Sequence, residues 1–173
     1  MMNAALGLPE ALTPPAVGAL TKAVCMSPSS KKRPSQPAAV PTRKIYLCGP
    51  IMSCTPDESV DWRARTKERL GHLFALLDPM RRSFADNAVD SANEIVEFDL
   101  QDIREADLLL VNYSKPSIGT AMEVFFASHD LGKFVIAFSP LPFGDCSPWM
   151  VRYCTKILPD LETALAYIER HFR

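Results

Sequence analysis

Residues 106–140 read ADLLLVNYSKPSIGTAMEVFFASHDLGKFVIAFSP. ADLLLVNY is a short apolar run of strand length, SIGTAMEVFFASHDLG is long enough for a helix, and KFVIAFSP is a second apolar run. A strand, a helix and a strand in succession are the unit of a parallel sheet, because parallel neighbours need a crossover connection. Between Lys115 and His129 the one charged residue is Glu123, set among Met122, Val124, Phe125 and Phe126. A lone carboxylate in a helix otherwise built for burial is the first sign of chemistry.

The same alternation extends in both directions. Upstream, KIYLCG (44–49) is a buried-strand signal ending in glycine. DESVDWRARTKERLG (57–71) places acids first, bases later and Gly71 at the stop, the charge order a helix dipole prefers. HLFALLDP (72–79) reads as strand two and 80–90 as a loop. Residues 91–106, SANEIVEFDLQDIREA, read as a helix with Ser91 as N-cap and Glu94 completing a capping box. Downstream, TKIL (155–158) is a short fifth strand and 160–173 the last helix. The expected class is α/β: a doubly wound, five-stranded parallel sheet with helices on both faces. With strand order 2-1-3-4-5, ligands belong beyond the carboxyl ends of strands one and three. The loops there are 49–53 and 114–119, and Glu123 lies just inside the helix leaving the second.

Residues 1–43 are different in kind. They hold seven of the fifteen prolines and one acid, Glu10, and carry +4 against −5 for residues 44–173. Such sequence buries too little apolar surface to offset its ordering entropy, so a disordered leader preceding a domain at 44–173 is expected. Its composition also suits a transit peptide, and SKKRPS a nuclear address. The chain's net charge of −1 gives no whole-chain case for nucleic acid, and no apolar run has the length of a membrane span. Five dispersed cysteines without a CxxC pair, beside three histidines, make no zinc spacing and suit a reduced, cytoplasmic setting. No metal or other cofactor is implied.

A second carboxylate is out of place. Ile95, Asp99 and Ile103 are spaced by four and share a helix face, extended by Ala92 and Ala106. Asp99 interrupts that row, whereas Asp102 and Glu105 can point to water. Asp99 could cap or brace a loop, and Glu123 could sit in a buried salt bridge with Arg152 or an N-terminal loop. An unpaired buried carboxylate costs several kcal/mol, so two at one crevice point instead to use. Two carboxylates suit glycosyl chemistry: one attacks the anomeric carbon, the other handles the leaving group's proton.

The segment FDLQDIREADLLLVNYSKPSIGTAMEVFFASHDLGKFVI resembles the nucleoside 2-deoxyribosyltransferase family. Asp-Leu-x-x-Ile, an Ala-Asp heading an apolar strand, a Gly-x-x-x-Glu helix and a Gly-Lys before another strand occur in the family's order. KIYLCGPI resembles its first strand and loop, and the likeness covers about 44–168. It implies a flavodoxin-like fold, Glu123 as nucleophile and Asp99 contacting the base. Gly49 and Ile51 in the first crevice loop and Ser117 and Gly119 in the second are the expected substrate-binding residues. It also implies a homo-oligomer in which a neighbouring subunit completes the site. Six residues before the nucleophile the transferases usually carry an acid near the 5′ hydroxyl. Ser117 stands there, as in the branch resembling 2′-deoxynucleoside 5′-monophosphate N-hydrolases. A hydroxyl at a helix start suits a phosphate, and also suits a plain N-cap. Against the hydrolase branch, the first loop lacks glycine-rich, basic character; Ser53 and Arg63 are the residues that would compensate. SPWMVRY lies where cross-subunit contacts would fall, although Trp149 and Met150 fit the core better. The expected function is cleavage or transfer at an N-glycosidic bond of a small nucleoside or nucleotide. The alternatives are a non-catalytic nucleotide sensor, and an interaction protein acting through its basic leader.

Overall fold

The structure is a computed structural model, and it describes residues 43–52, 54–84 and 89–173. The leader, except Arg43, and Ser53 therefore lie outside the described residues. Five strands form one parallel sheet: β1 (Lys44–Cys48), β2 (Ala75–Leu77), β3 (Leu108–Asn112), β4 (Phe134–Phe138) and β5 (Lys156–Leu158). Their order is β2-β1-β3-β4-β5, which meets the condition on which the crevice was placed, and every adjacent pair is parallel. The helices are α1 (Pro56–Leu70), α2 (Ala92–Glu105), α3 (Ile118–Phe125), α4 (Pro148–Tyr153) and α5 (Leu161–Phe172), with a π-helical turn at Phe126–Asp130.

Strand periodicity divides the core in two. Ile45, Leu47, Leu108, Leu110, Ile136 and Phe138 pack on one face with Trp62 and Leu70 of α1 and Leu161, Leu165 and Ile168 of α5. Tyr46, Cys48, Leu109, Val111, Val135 and Ala137 face the other way, toward Ile103 of α2, Val124 of α3 and Met150 of α4. Both faces are covered, which is why β1, β3 and β4 read as unbroken apolar runs rather than alternating ones.

The helix ends correct the sequence reading in part. The capping box belongs to α1: Thr55 accepts from the Glu58 amide, and the Glu58 carboxylate accepts from the Thr55 amide. At α2, Ser91 makes no side-chain cap, because its ψ of 11° is far from the extended backbone that aims a capping hydroxyl. Asp102 does not point to water either. It is buried, with Arg81 2.6 Å from Oδ1 and Arg82 2.7 Å from Oδ2. Both arginines come from the turn after β2, whose contact with α2 no periodicity could announce. Ala92, expected on the inner stripe, is exposed. Met150 is core as expected, but Trp149 is 64% exposed. α4 is short and turns that indole outward.

Candidate active site

The strand order reverses between β1 and β3, so the loops beyond Cys48 and Asn112 diverge to opposite faces and leave a crevice. α3 starts at this crevice. Ser117 is its N-cap, the hydroxyl accepting from the Thr120 amide at 3.4 Å. Glu123 follows on the face turned toward β1. Tyr46 and Cys48, two residues apart and therefore on one face of β1, meet it there. The Tyr46 hydroxyl donates to Glu123 Oε1 at 2.8 Å, and the Cys48 thiol donates to Oε2 at 2.8 Å. Glu123 is thus not in the salt bridge with Arg152 that the sequence allowed; the Arg152 guanidinium lies 5.4 Å from the Tyr153 ring centroid.

Burial is the largest influence on Glu123. It pushes the carboxyl up from 4.5 to about 7, with Asp99 adding to the rise and the Cys48, Tyr46 and Arg63 contributions opposing it. The donors are perturbed in turn. Burial and the neighbouring carboxylate drive both the Tyr46 phenol and the Cys48 thiol well above their ordinary values, so both remain protonated donors.

Asp99 joins the same cluster from α2. Burial raises its carboxyl above the ordinary range, while Arg82 and the Tyr46 hydroxyl pull it down. Arg82 Nη1 is 3.7 Å from Asp99 Oδ1, an ion pair without a hydrogen bond, and its guanidinium lies 4.7 Å from the Phe98 ring centroid. The two carboxylates singled out in the sequence are therefore neighbours, linked through Tyr46. What sequence reasoning missed is the pair of donors on β1. Both sit in a run buried on two faces, where a tyrosine and a cysteine look like ordinary core.

The other expected site residues divide. Gly49 is required by packing: a Cβ there would lie 2.9 Å from both Asn112 Cβ and Trp62 Cζ2. Ile51 is 43% exposed in the first loop. Gly119 is exposed in the first turn of α3, with open space where a Cβ would stand. Arg63 is not available to a phosphate. It is buried, its Nη2 donates to the Gly49 carbonyl at 3.2 Å, its Nη1 donates to the Ser59 carbonyl, and its Nε is 3.3 Å from Asp78. A different cation stands at the crevice: Lys115, 2.6 Å from Glu58, joins the β3–α3 loop to the first turn of α1.

Comparison with known proteins bears on the family and the fold. The family model described as nucleoside 2-deoxyribosyltransferase matches residues 45–143. No curated protein matches the chain. Among solved structures, a 2-desoxiribosyltransferase from Leishmania mexicana is similar at 22% identity and TM-score 0.57, covering 76% of this chain and 99% of its own. A 2-deoxyribosyltransferase from Bacillus psychrosaccharolyticus has 24% identity and TM-score 0.57, covering 72% and 91%. A CMP N-glycosidase from Clostridium botulinum has 17% identity and TM-score 0.53, covering 75% and 100%. At these identities the solved structures speak for the fold, while the family match spans more than half of the chain and includes β1, α2, β3 and α3. The chain belongs to the nucleoside 2-deoxyribosyltransferase family, enzymes of glycosyl transfer and cleavage at the N-glycosidic bond.

Proposed function

We propose that the protein cleaves or transfers the N-glycosidic bond of 2′-deoxynucleosides or their 5′-monophosphates through a covalent glycosyl–Glu123 intermediate. The observation that carries this is the pairing of Glu123 with Tyr46 and Cys48 beside Asp99, at the switch point of the sheet. Glu123 attacks C1′ as the carboxylate. Asp99, with its raised carboxyl, gives a proton to the departing base. Attack needs one carboxylate ionised and the other protonated, so a single proton shared by the pair is the working state, and its two apparent pKa values belong to the pair.

Gly49, Ile51, Ser117 and Gly119 are the residues proposed to bind the sugar and its 5′ end. Ser117 leaves the start of α3 without a negative charge, which supports a 5′-monophosphate, because an acid there would repel one. The oligomeric part of the reading draws support from an apolar face. Ile118 (84% exposed) on α3 and Trp149 on α4 border a cavity of about 350 Å³ lined by Val124, Phe125 and Tyr153, and Met122 of α3 is 68% exposed. A second copy covering this face would reach the Ser117 end of the crevice. The cytoplasm is the compartment proposed for this chemistry, and residues 44–173 are its catalytic body.

The test is a panel: purine and pyrimidine 2′-deoxynucleosides and their 5′-monophosphates, each with and without a second free base. Released base alone means hydrolysis; exchange of bases means transfer. Tight binding of a nucleotide with no base released would replace this reading with that of a sensor.

A further inference from the structure

The two oxygens of Glu123 have different donors. Oε1 accepts from a phenol and Oε2 from a thiol, both at 2.8 Å. Both donor residues are fully buried, and the nearest other acceptor for the thiol is the Thr120 carbonyl at 3.9 Å. A hydroxyl binds a carboxylate strongly; a thiol is a weak donor. The charge on Oε2 is therefore the less committed of the two. When a carboxylate attacks carbon, one oxygen becomes the bridging ester atom and loses most of its accepting power. The other becomes the ester carbonyl and keeps it. A strong donor suits the second, and a donor that is easily given up suits the first.

We propose that Glu123 Oε2 is the attacking atom and that Cys48 is a positioning residue that aims it. This rests on the reading of Glu123 as nucleophile. In the step, the Oε2–C1′ bond forms and the C1′–N bond breaks. The electron pair leaves with the base, which takes a proton from Asp99. Cys48 keeps its hydrogen throughout and Tyr46 stays on Oε1. The charged and titratable groups facing Glu123 are Tyr46 and Cys48 from β1, Asp99 from α2 and Arg63 from α1. Among the described residues, Cys48 is the one bound to Oε2.

The experiment uses full-length protein and 4-nitrophenyl 2-deoxyriboside, or its 5-phosphate if the panel favours phosphates. This leaving group needs no proton, so the rate against pH reports ionisation of Glu123 and the attack itself. A donor favours the carboxylate, so its removal raises the pH at which activity switches on, and a stronger donor lowers it. The expected order of midpoints is Cys48→Ser, wild type, Cys48→Ala, from low pH to high. The serine variant also loses roughly tenfold in plateau kcat, because it must release a stronger charge-assisted bond during attack. A packing role would move both variants the same way, and that result, or no movement, overturns the inference. The S–H stretch of the wild-type protein reads the same bond without altering the site. A lowered band, distinct from those of the other four thiols, that vanishes in Cys48→Ala and returns to the free-thiol frequency in Glu123→Gln is expected; a wild-type spectrum without a lowered band that depends on Cys48 overturns the inference. Turnover retained by Glu123→Gln would instead remove the nucleophile reading beneath it.

Discussion

Glu123→Gln should make the protein inactive and, at alkaline pH, more stable. The folded carboxyl is raised from 4.5 to about 7, chiefly by burial. Each pKa unit is worth about 1.4 kcal/mol, so the ionised side chain costs the native state roughly 3 kcal/mol. The native state binds the proton more tightly than the unfolded chain does. The stabilisation from that proton is fully present below pH 4.5 and is lost as pH rises through about 7. Glutamine matches the protonated acid in shape and in having one carbonyl acceptor, which Tyr46 can keep. The variant should therefore melt with the wild type near pH 4.5. At pH 8 it should melt roughly 10 °C higher, the shift that ~3 kcal/mol gives in a domain of this size. Thermal unfolding at the two pH values, beside a turnover assay, measures both effects. Equal melting at pH 8, or the same offset at both pH values, would refute the claim that the enzyme holds this carboxylate at a cost to its stability.

Asp99→Asn should slow natural substrates far more than an activated 4-nitrophenyl glycoside, by a factor on the order of 10²–10⁴; equal losses on both would exclude a proton-handling role. Gly49→Ala should destabilise the fold by roughly 1–3 kcal/mol in urea titration, because the new methyl meets Asn112 and Trp62 from two sides; wild-type stability would mean the crevice floor yields easily. Ser117→Asp keeps an N-capping side chain, so α3 should persist while kcat/KM for a 5′-monophosphate falls by roughly tenfold or more relative to the free nucleoside. A protein that prefers free nucleosides from the outset, or loses both substrates equally, belongs with the transferase branch.

Particular residues show what the sequence could carry. Leu108, Leu109, Leu110 and Val111 are buried on both faces of β3, and such a run is legible because it contains no polar residue to explain away. The parallel sheet follows from alternating strands and helices, the order β2-β1-β3-β4-β5 is that of the flavodoxin-like fold the resemblance implies, and the order locates the crevice. Glu123 and Asp99 were legible as exceptions: each breaks an apolar helix face, and a break in a regular pattern can be seen without coordinates. Contacts made by loops could not be read. Asp102 is buried because Arg81 and Arg82 fold onto it from the turn after β2, and no spacing links that turn to α2.

Tyr46 and Cys48 were hidden for a different reason. In a strand buried on two sides there is no alternation, so nothing in KIYLC indicates which residues face α3. Each also belongs to a residue type that a core accepts without comment. Yet these two donors hold both Glu123 oxygens, and together with Arg63 they oppose the burial that would otherwise keep the carboxyl protonated further above 7. Glu123 is conspicuous in the sequence because it violates the pattern of its helix. The donors on its oxygens are neighbours that obey the pattern of their strand, and those appear only once β1 and α3 are brought face to face.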